Sequence, residues 1–369
     1  MRREGNIIEE IVEYSNMSDS FDRVLRGTKR KESHQGRSLL AHREEVIREL
    51  SDRIMQGTYT VKDYREREIK ENGKVRRIQI LTMKDRIAVH AVMTVVDRHL
   101  KKRFIRTTSA SIKGRGMHDL MAYIHRDMQE HPETTRYCYK FDISKFYESI
   151  NQDTVMECVQ RVFKDERLIA LLDGFVHMMP HGLSIGLRSS QGLGNLLLSI
   201  HLDHVLKDQC GVRHFYRYCD DGVVLASSKR ELWEVREIIH RQIEGIGLKV
   251  KSNERVFLAT QGIDFLGYVI RPDYILLRKR IKQKAAKKLN EVKSRKRRRE
   301  LIASLYGMAK HADCNNMFYN LTGKKMRSFK DLNVSYQPED GKKRFPGAVV
   351  SIRDTGKPAY RCQGLRDGY

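Results

Sequence analysis

The sequence predicts an α+β protein, and three observations carry that prediction. Apolar residues recur at helical spacing, first at Ile7, Ile8, Ile11 and Val12 and again at Val46, Ile47, Leu50 and Ile54. Two segments, 61–82 and 214–226, read instead as short strands joined by tight turns. Hydrophobic residues make up 40% of the 369, enough for two or three domains with cores of their own. The net charge of +24 favours a polyanionic partner, nucleic acid ahead of an anionic membrane surface.

The same composition excludes several classes. No run of 18 apolar residues could span a bilayer, and the N-terminus lacks the apolar core of a secretory signal. The six cysteines are scattered without a CxxC pair, which argues against zinc and for free thiols in a reducing cytoplasm.

Taken in order, residues 1–60 form a helical extension. Its basic connector, Arg26 to Lys31, reads as a solvated loop or as a phosphate contact. Residues 61–82 follow as a hairpin turning at Asn72-Gly73. Lys74, Arg76 and Arg77 on its returning strand could grip a triphosphate, or simply protect a sheet edge. An amphipathic helix spans 83–105. The loop Ile112-Lys113-Gly114-Arg115-Gly116 then combines cations with glycines and precedes a helix over 117–130.

The run from Tyr137 to Phe141 reads as a strand that Asp142 ends, with a helix expected over 148–163. A helix and connector ending at Pro180 come next. A small-residue loop, His181 to Gly194, then leads into a strongly apolar helix reaching about Lys207. Arg217-Tyr218-Cys219-Asp220-Asp221 sits at the tip of the hairpin 214–226. Adjacent carboxylates repel unless a cation neutralises them, and hard oxygen ligands suit Mg2+ or Mn2+. An ordinary exposed Asp-Asp-Gly turn is the plain alternative. Asp142 supplies the partner: two strand-end carboxylate clusters with an upstream basic clamp are the parts of two-metal phosphoryl transfer.

Past a helix carrying Trp233, a short strand is expected at 248–251 and a Gly-punctuated strand pair at 261–270. From Arg278 to Arg299, 13 of 22 residues are Lys or Arg, which favours a helix lying along a nucleic-acid backbone. Residues 328–369 read as a small β-rich appendage.

In this order and spacing the motifs resemble a reverse transcriptase over roughly residues 60–310. Tyr218-Cys219-Asp220-Asp221 matches the family's YxDD box, and Phe265-Leu266-Gly267-Tyr268 resembles its primer grip. Ile185-Gly186-Leu187-Arg188-Ser189-Ser190-Gln191 has the form IGxxxSQ, similar to the reverse transcriptases of diversity-generating retroelements. Gly222, where a bulkier apolar residue is usual, and the C-terminal appendage depart from the family pattern.

The resemblance implies a right-hand polymerase fold. It would comprise an N-terminal extension (1–60), fingers (61–135), a palm with an antiparallel sheet (136–260), a primer grip and basic helical thumb (261–327) and the appendage (328–369). It implies two Mg2+ ions, with Mn2+ as substitute, on Asp142, Asp220, Asp221 and the Ile143 carbonyl, and Lys251 as proton donor to pyrophosphate. Lys74, Arg76, Arg77, Phe146, Tyr147, Ile185, Gly186 and Gln191 would meet the dNTP, with Tyr147 as the sugar gate. Lys113, Arg115, Arg278, Lys279, Arg280, Lys284, Lys288, Arg295, Arg297 and Arg298 would meet nucleic acid.

The implied partners are a structured template RNA, the cDNA or primer strand and a small basic oligomeric accessory protein, and the implied location is the cytoplasm, with a bacterial or phage gene as source. The implied product is cDNA with errors at template adenines, used to rewrite a variable gene. A defence-associated or retron-like reverse transcriptase is the second reading, and a non-catalytic RNA-binding scaffold the third.

Overall fold

In the computed structural model, which describes residues 3–61, 63–71 and 73–326, helices and antiparallel strand pairs mix as the sequence predicts. The expected appendage at 328–369 lies outside the described residues. Contacts divide the chain into two compact units: Met1–Asp127 with His131–Leu258, and Met128–Glu130 with the chain from Ala259 onward.

The first unit opens with helices Ile7–Val12, Tyr14–Val24, Thr28–Lys31, His34–Ala41 and Arg43–Met55. The basic connector is therefore partly helical rather than a plain loop. Ile7, Ile8, Ile11, Ile47, Leu50 and Ile54 are buried, as their spacing predicts. Strands β1 (Tyr64–Glu71) and β2 (Lys74–Leu81) pair from Tyr64↔Leu81 to Glu71↔Lys74. The helix Met83–Lys101 follows, capped by Thr82, whose hydroxyl accepts from the Asp85 N–H.

The central sheet uses β3 (Thr108–Ser109), β4 (Tyr137–Asp142), β5 (His214–Tyr218), β6 (Asp221–Ala226) and β7 (Arg255–Leu258) in the order β3-β5-β6-β4-β7. Only the β3–β5 pair is parallel. Val223, Val224 and Leu225 are buried, so this middle strand reads as a continuous apolar run rather than an alternating one.

Three expectations are corrected in this unit. The helix expected over 148–163 breaks into Phe146–Ser149 and Gln152–Val162, because Asn151 turns outward to cap the Thr154 N–H. Leu248–Lys251 contributes one bridge, Val250 to Ile143, and not a strand. The apolar helix begins at Arg188, so Ser190 and Gln191 lie in its first turn and not in a loop. Beyond Leu198 it passes into π-helical turns, Ser199–Asp203 and Val205–Gln209.

In the second unit, β8 (Ile263–Phe265), β9 (Tyr268–Ile270) and β10 (Ile275–Leu277) form an antiparallel sheet in the order β10-β9-β8. The third strand has no signature beyond three apolar residues. The basic run is split by Ser294, which caps Arg297, into helices Lys279–Glu291 and Arg295–Ala309; Asn315–Thr322 completes a helical layer. Leu289, Ile302, Leu305, Ala309 and Phe318 are buried in this unit.

Candidate active site

The turn between β5 and β6 brings the acidic residues together. Asp142 ends β4 directly opposite Asp221, and Tyr218 faces Asp221 across the hairpin. The Ile143 N–H donates to the Asp220 carbonyl at 3.2 Å, tying the two strand ends. Cys219, inside the turn, has φ 56°, a left-handed conformation rare for a side chain without glycine's freedom.

Lys251 reaches the same place. Its N–H donates to the Asp142 carbonyl at 2.8 Å, and its ammonium binds Asp142 Oδ2. Asp142 Oδ1 is buried and has no hydrogen-bond partner. Burial, followed by the charge of Asp142, raises the carboxyl pKa of Asp220 above its ordinary value. Burial and the charges of Asp142 and Asp220 push Asp221 up to about 6. Three half-buried carboxylates that repel one another, one with an orphaned oxygen, are a donor set that fits a divalent cation. Among the described residues, no three His, Cys, Asp or Glu side chains already converge as a metal cage. Lys251 occupies one oxygen that such a cage would use.

Phe141 explains the departure at Gly222. A Cβ at Gly222 would lie 2.2 Å from the Phe141 ring, so the aromatic residue fills the space from the neighbouring strand.

Tyr147 stands half-buried beside the turn, its hydroxyl 3.0 Å from Cys219 Sγ. Phe146 is buried against it, ring centroids 5.1 Å apart. Gly194 makes room for both: a Cβ there would meet Phe146 at 3.0 Å and Tyr147 at 3.4 Å. Burial raises the Tyr147 phenol and pushes the Cys219 thiol up to about 12, so both stay neutral. Cys219 and Gly194 were not singled out from the sequence; the only signal for the latter is the small-residue run ahead of the apolar helix.

Ile185 is half-buried and Gly186 exposed, on a segment that docks against β2. Ser184 Oγ donates to Gln79 Oε1 at 2.9 Å, and a Cβ at Gly186 would lie 2.3 Å from the Gln79 carbonyl oxygen. Gln79 therefore holds this segment against β2, a contact the sequence did not signal. Gln191 is exposed and accepts a hydrogen bond from Ser111.

The expected cations divide sharply. Arg77 is largely exposed and pairs with Glu68, its cross-strand neighbour, at 3.3 Å; Arg76 and Lys74 lie on the same strand. Lys113 is exposed and lines, with Lys101, Arg188 and Asn195, a cavity of about 700 Å³. Arg115 is half-buried, and its guanidinium donates to the Ile105 carbonyl at 2.7 Å within its own loop.

In the second unit, Phe265 and Tyr268 are core residues, and Tyr268 donates to the Met308 carbonyl at 3.0 Å. Only Leu266 and Gly267, both at positive φ, form the tip of that motif. Arg278 pairs with Asp264, Arg297 with Glu300, and Arg298 donates to the Leu289 carbonyl. Lys279, Arg280, Lys284, Lys288 and Arg295 are exposed.

Among the described residues, no helix is long and apolar enough to cross a membrane. Comparison with curated proteins returned no match. Among solved structures, the apo telomerase of Candida tropicalis is 13% identical with a TM-score of 0.49, over 71% of this chain and 56% of that one. A form of it truncated from the C-terminal domain is 16% identical with a TM-score of 0.47, over 63% and 60%. The Candida albicans telomerase in complex with a TWJ fragment of telomeric RNA is 10% identical with a TM-score of 0.47, over 75% and 59%. The chain thus spans less than two thirds of the length of these structures. Residues 68–270, more than half of the chain, match the family described as "Reverse transcriptase (RNA-dependent DNA polymerase)". With its antiparallel sheet and the carboxylates at its strand ends, the chain belongs to the reverse transcriptase family and has its polymerase fold.

Proposed function

We propose that this protein is an RNA-directed DNA polymerase that copies a structured template RNA from dNTPs. The observation that carries the reading is Asp142, with its buried, unpartnered Oδ1, opposite Asp221 and beside Asp220. Asp142, Asp220, Asp221 and the Ile143 carbonyl would hold divalent ions. When bound, such ions would lower the pKa of the primer 3′-hydroxyl and neutralise charge on the phosphate oxygens.

The chain's own groups do the remaining work. Tyr147, steadied by Cys219, excludes a ribose 2′-hydroxyl. Lys251 carries a proton at Nζ for the departing pyrophosphate and holds Asp142 while the site is empty of substrate. Arg77, Arg76 and Lys74 bind the triphosphate. The proposed organisation is an N-terminal extension, fingers, palm and basic thumb with the boundaries expected above.

Within this activity we assign the enzyme to the diversity-generating class, with error-prone cDNA as product and a small basic accessory protein as partner. The support is the IGxxxSQ sequence: at Ile185 an alkyl side chain replaces an amide that could hydrogen-bond near the nucleotide, and fewer polar contacts weaken discrimination.

Primer extension on an RNA template tests both levels. Asp220→Asn should abolish Mg2+-dependent extension and preserve RNA binding; full activity would remove the assignment, and an inactive wild type that binds RNA would favour a scaffold. Ile185→Gln should reduce misincorporation opposite adenine, and unchanged error there refutes the finer reading.

A further inference from the structure

Behind the carboxylate turn lies a polar network that the chemistry above does not use. Arg217, next to last in β5, and Asp203 are both completely buried. Arg217 Nε donates to Asp203 Oδ1 at 2.7 Å and Nη2 to Oδ2 at 2.6 Å, a two-pronged pair. The remaining nitrogen, Nη1, donates to Asn195 Oδ1 at 3.0 Å and to the main-chain carbonyl of Cys219 at 2.7 Å. Thr108 Oγ1 donates to Asp203 Oδ2 at 2.6 Å, and Asn195 Nδ2 to the Ala110 carbonyl at 3.0 Å. Asp203, Asn195 and the Cys219 carbonyl therefore meet on one guanidinium, and Thr108 and Ala110 in turn hold Asp203 and Asn195.

Stability alone does not account for this arrangement. A buried ion pair loses hydration that its attraction barely returns, and apolar residues of similar volume commonly serve as well. Nor does Arg217 act as a free charge, because Asp203 neutralises it at contact. What an apolar pair could not do is grip the Cys219 carbonyl. Cys219 holds the left-handed conformation immediately before Asp220, and a conformation of that kind persists only where its surroundings over-determine it. Asp203 ends the π-helical turn Ser199–Asp203, and the extra residue in such a turn re-aims the side chains that follow.

We infer that Arg217, oriented by Asp203 and Asn195, is a positioning residue: it fixes the Cys219 carbonyl and so the direction in which Asp220 and Asp221 leave the turn. Divalent-ion affinity of the carboxylate cluster depends on it. The inference rests on the reading of Asp142, Asp220 and Asp221 as metal ligands.

The test uses the full-length protein. Mn2+ binding without nucleotide or nucleic acid is followed by electron paramagnetic resonance, and primer extension in Mg2+ is measured alongside template-RNA affinity. Arg217→Lys keeps the buried charge but loses the planar fork. Arg217→Leu with Asp203→Leu removes both charges together. In each, Mn2+ binding should weaken about tenfold and extension slow about 100-fold, while RNA affinity stays unchanged. A folded variant with wild-type Mn2+ affinity and rate overturns the inference. If the double variant does not fold, Asn195→Ala with Thr108→Val loosens the frame around an intact ion pair and is judged by the same two criteria. Failure of the underlying reading looks different: Mn2+ affinity unchanged by Asp220→Asn removes the metal site and this inference together.

Discussion

Asp142, Asp220 and Asp221 are half-buried and crowded in register, with the turn beside them held by buried groups, whereas Arg77 of β2 is largely exposed and pairs with Glu68, and Lys279, Arg280 and Lys288 are exposed on the helix Lys279–Glu291. Under the proposed function both regions carry charge for an anionic substrate. The first is built for geometry: repulsion among its acids is tolerated because the backbone around them is fixed from several directions. The second suits attraction, which exposed, long side chains supply without a fixed geometry.

If this contrast is right, damage at the acidic turn should be large and local, and damage on the basic surfaces small and salt-dependent. The largest effect is expected from Gly222→Val, whose side chain would enter the space of the Phe141 ring. Overpacking of this kind should cost about 1–3 kcal/mol of stability, and the displaced β6 should carry extension away with it. Chemical denaturation and a primer-extension assay read the two effects. A variant as stable and active as wild type would mean that the strand ends are looser than described.

Asp221→Asn should separate stability from function. Burial and the neighbouring Asp142 and Asp220 push the Asp221 carboxyl up to about 6 from 3.8, so between those values the folded state holds more protons than the unfolded one. Its contribution to stability therefore falls as pH rises through that window. Removing the acid should stabilise the metal-free protein by about 1–2 kcal/mol at pH 8, with the gain shrinking as pH drops toward 4, while extension is lost. Melting curves at several pH values check the sign; a gain that grows toward acid would refute it.

A smaller effect is expected at Cys219. Cys219→Ala removes the partner of the Tyr147 hydroxyl, so the gate should loosen and ribonucleotide incorporation rise by about tenfold or less, with dNTP turnover little changed. Competition between dNTP and rNTP in single-nucleotide extension measures this. The smallest effect belongs to the basic surface. Lys288→Ala should leave stability unaltered and weaken RNA binding modestly, lowering the salt slope of binding by about one unit. Arg298→Ala should instead destabilise the second unit, because its guanidinium holds the Leu289 carbonyl. Equal behaviour of the two would erase the distinction drawn between exposed and structural cations.

Much of this site is legible in the amino-acid sequence. The hairpin around Tyr218–Asp221, the strand ending at Asp142 and the helices of residues 1–60 follow from periodicity and turn chemistry, which act between residues two to four apart. Total charge and the carboxylate pattern point to phosphoryl transfer on a polyanion. Other features have no local signature. Phe265 and Tyr268 look like a nucleic-acid contact in sequence and are core in the fold; Arg115 looks like a phosphate ligand and closes its own loop.

The union of Arg217 with Asp203, of Lys251 with Asp142 and of Gly186 with Gln79 joins residues 14, 109 and 107 positions apart. Partners at such distances are chosen by how elements pack, since any of the chain's 71 Lys and Arg residues could have answered any of its 47 acids. Sequence by itself pointed to the chemistry proposed for the chain and to the local elements that would carry it. Packing selected which charges are buried together, which stay in water, and how rigidly the acidic turn is held, because desolvation and long-range contact exist only once the chain has folded.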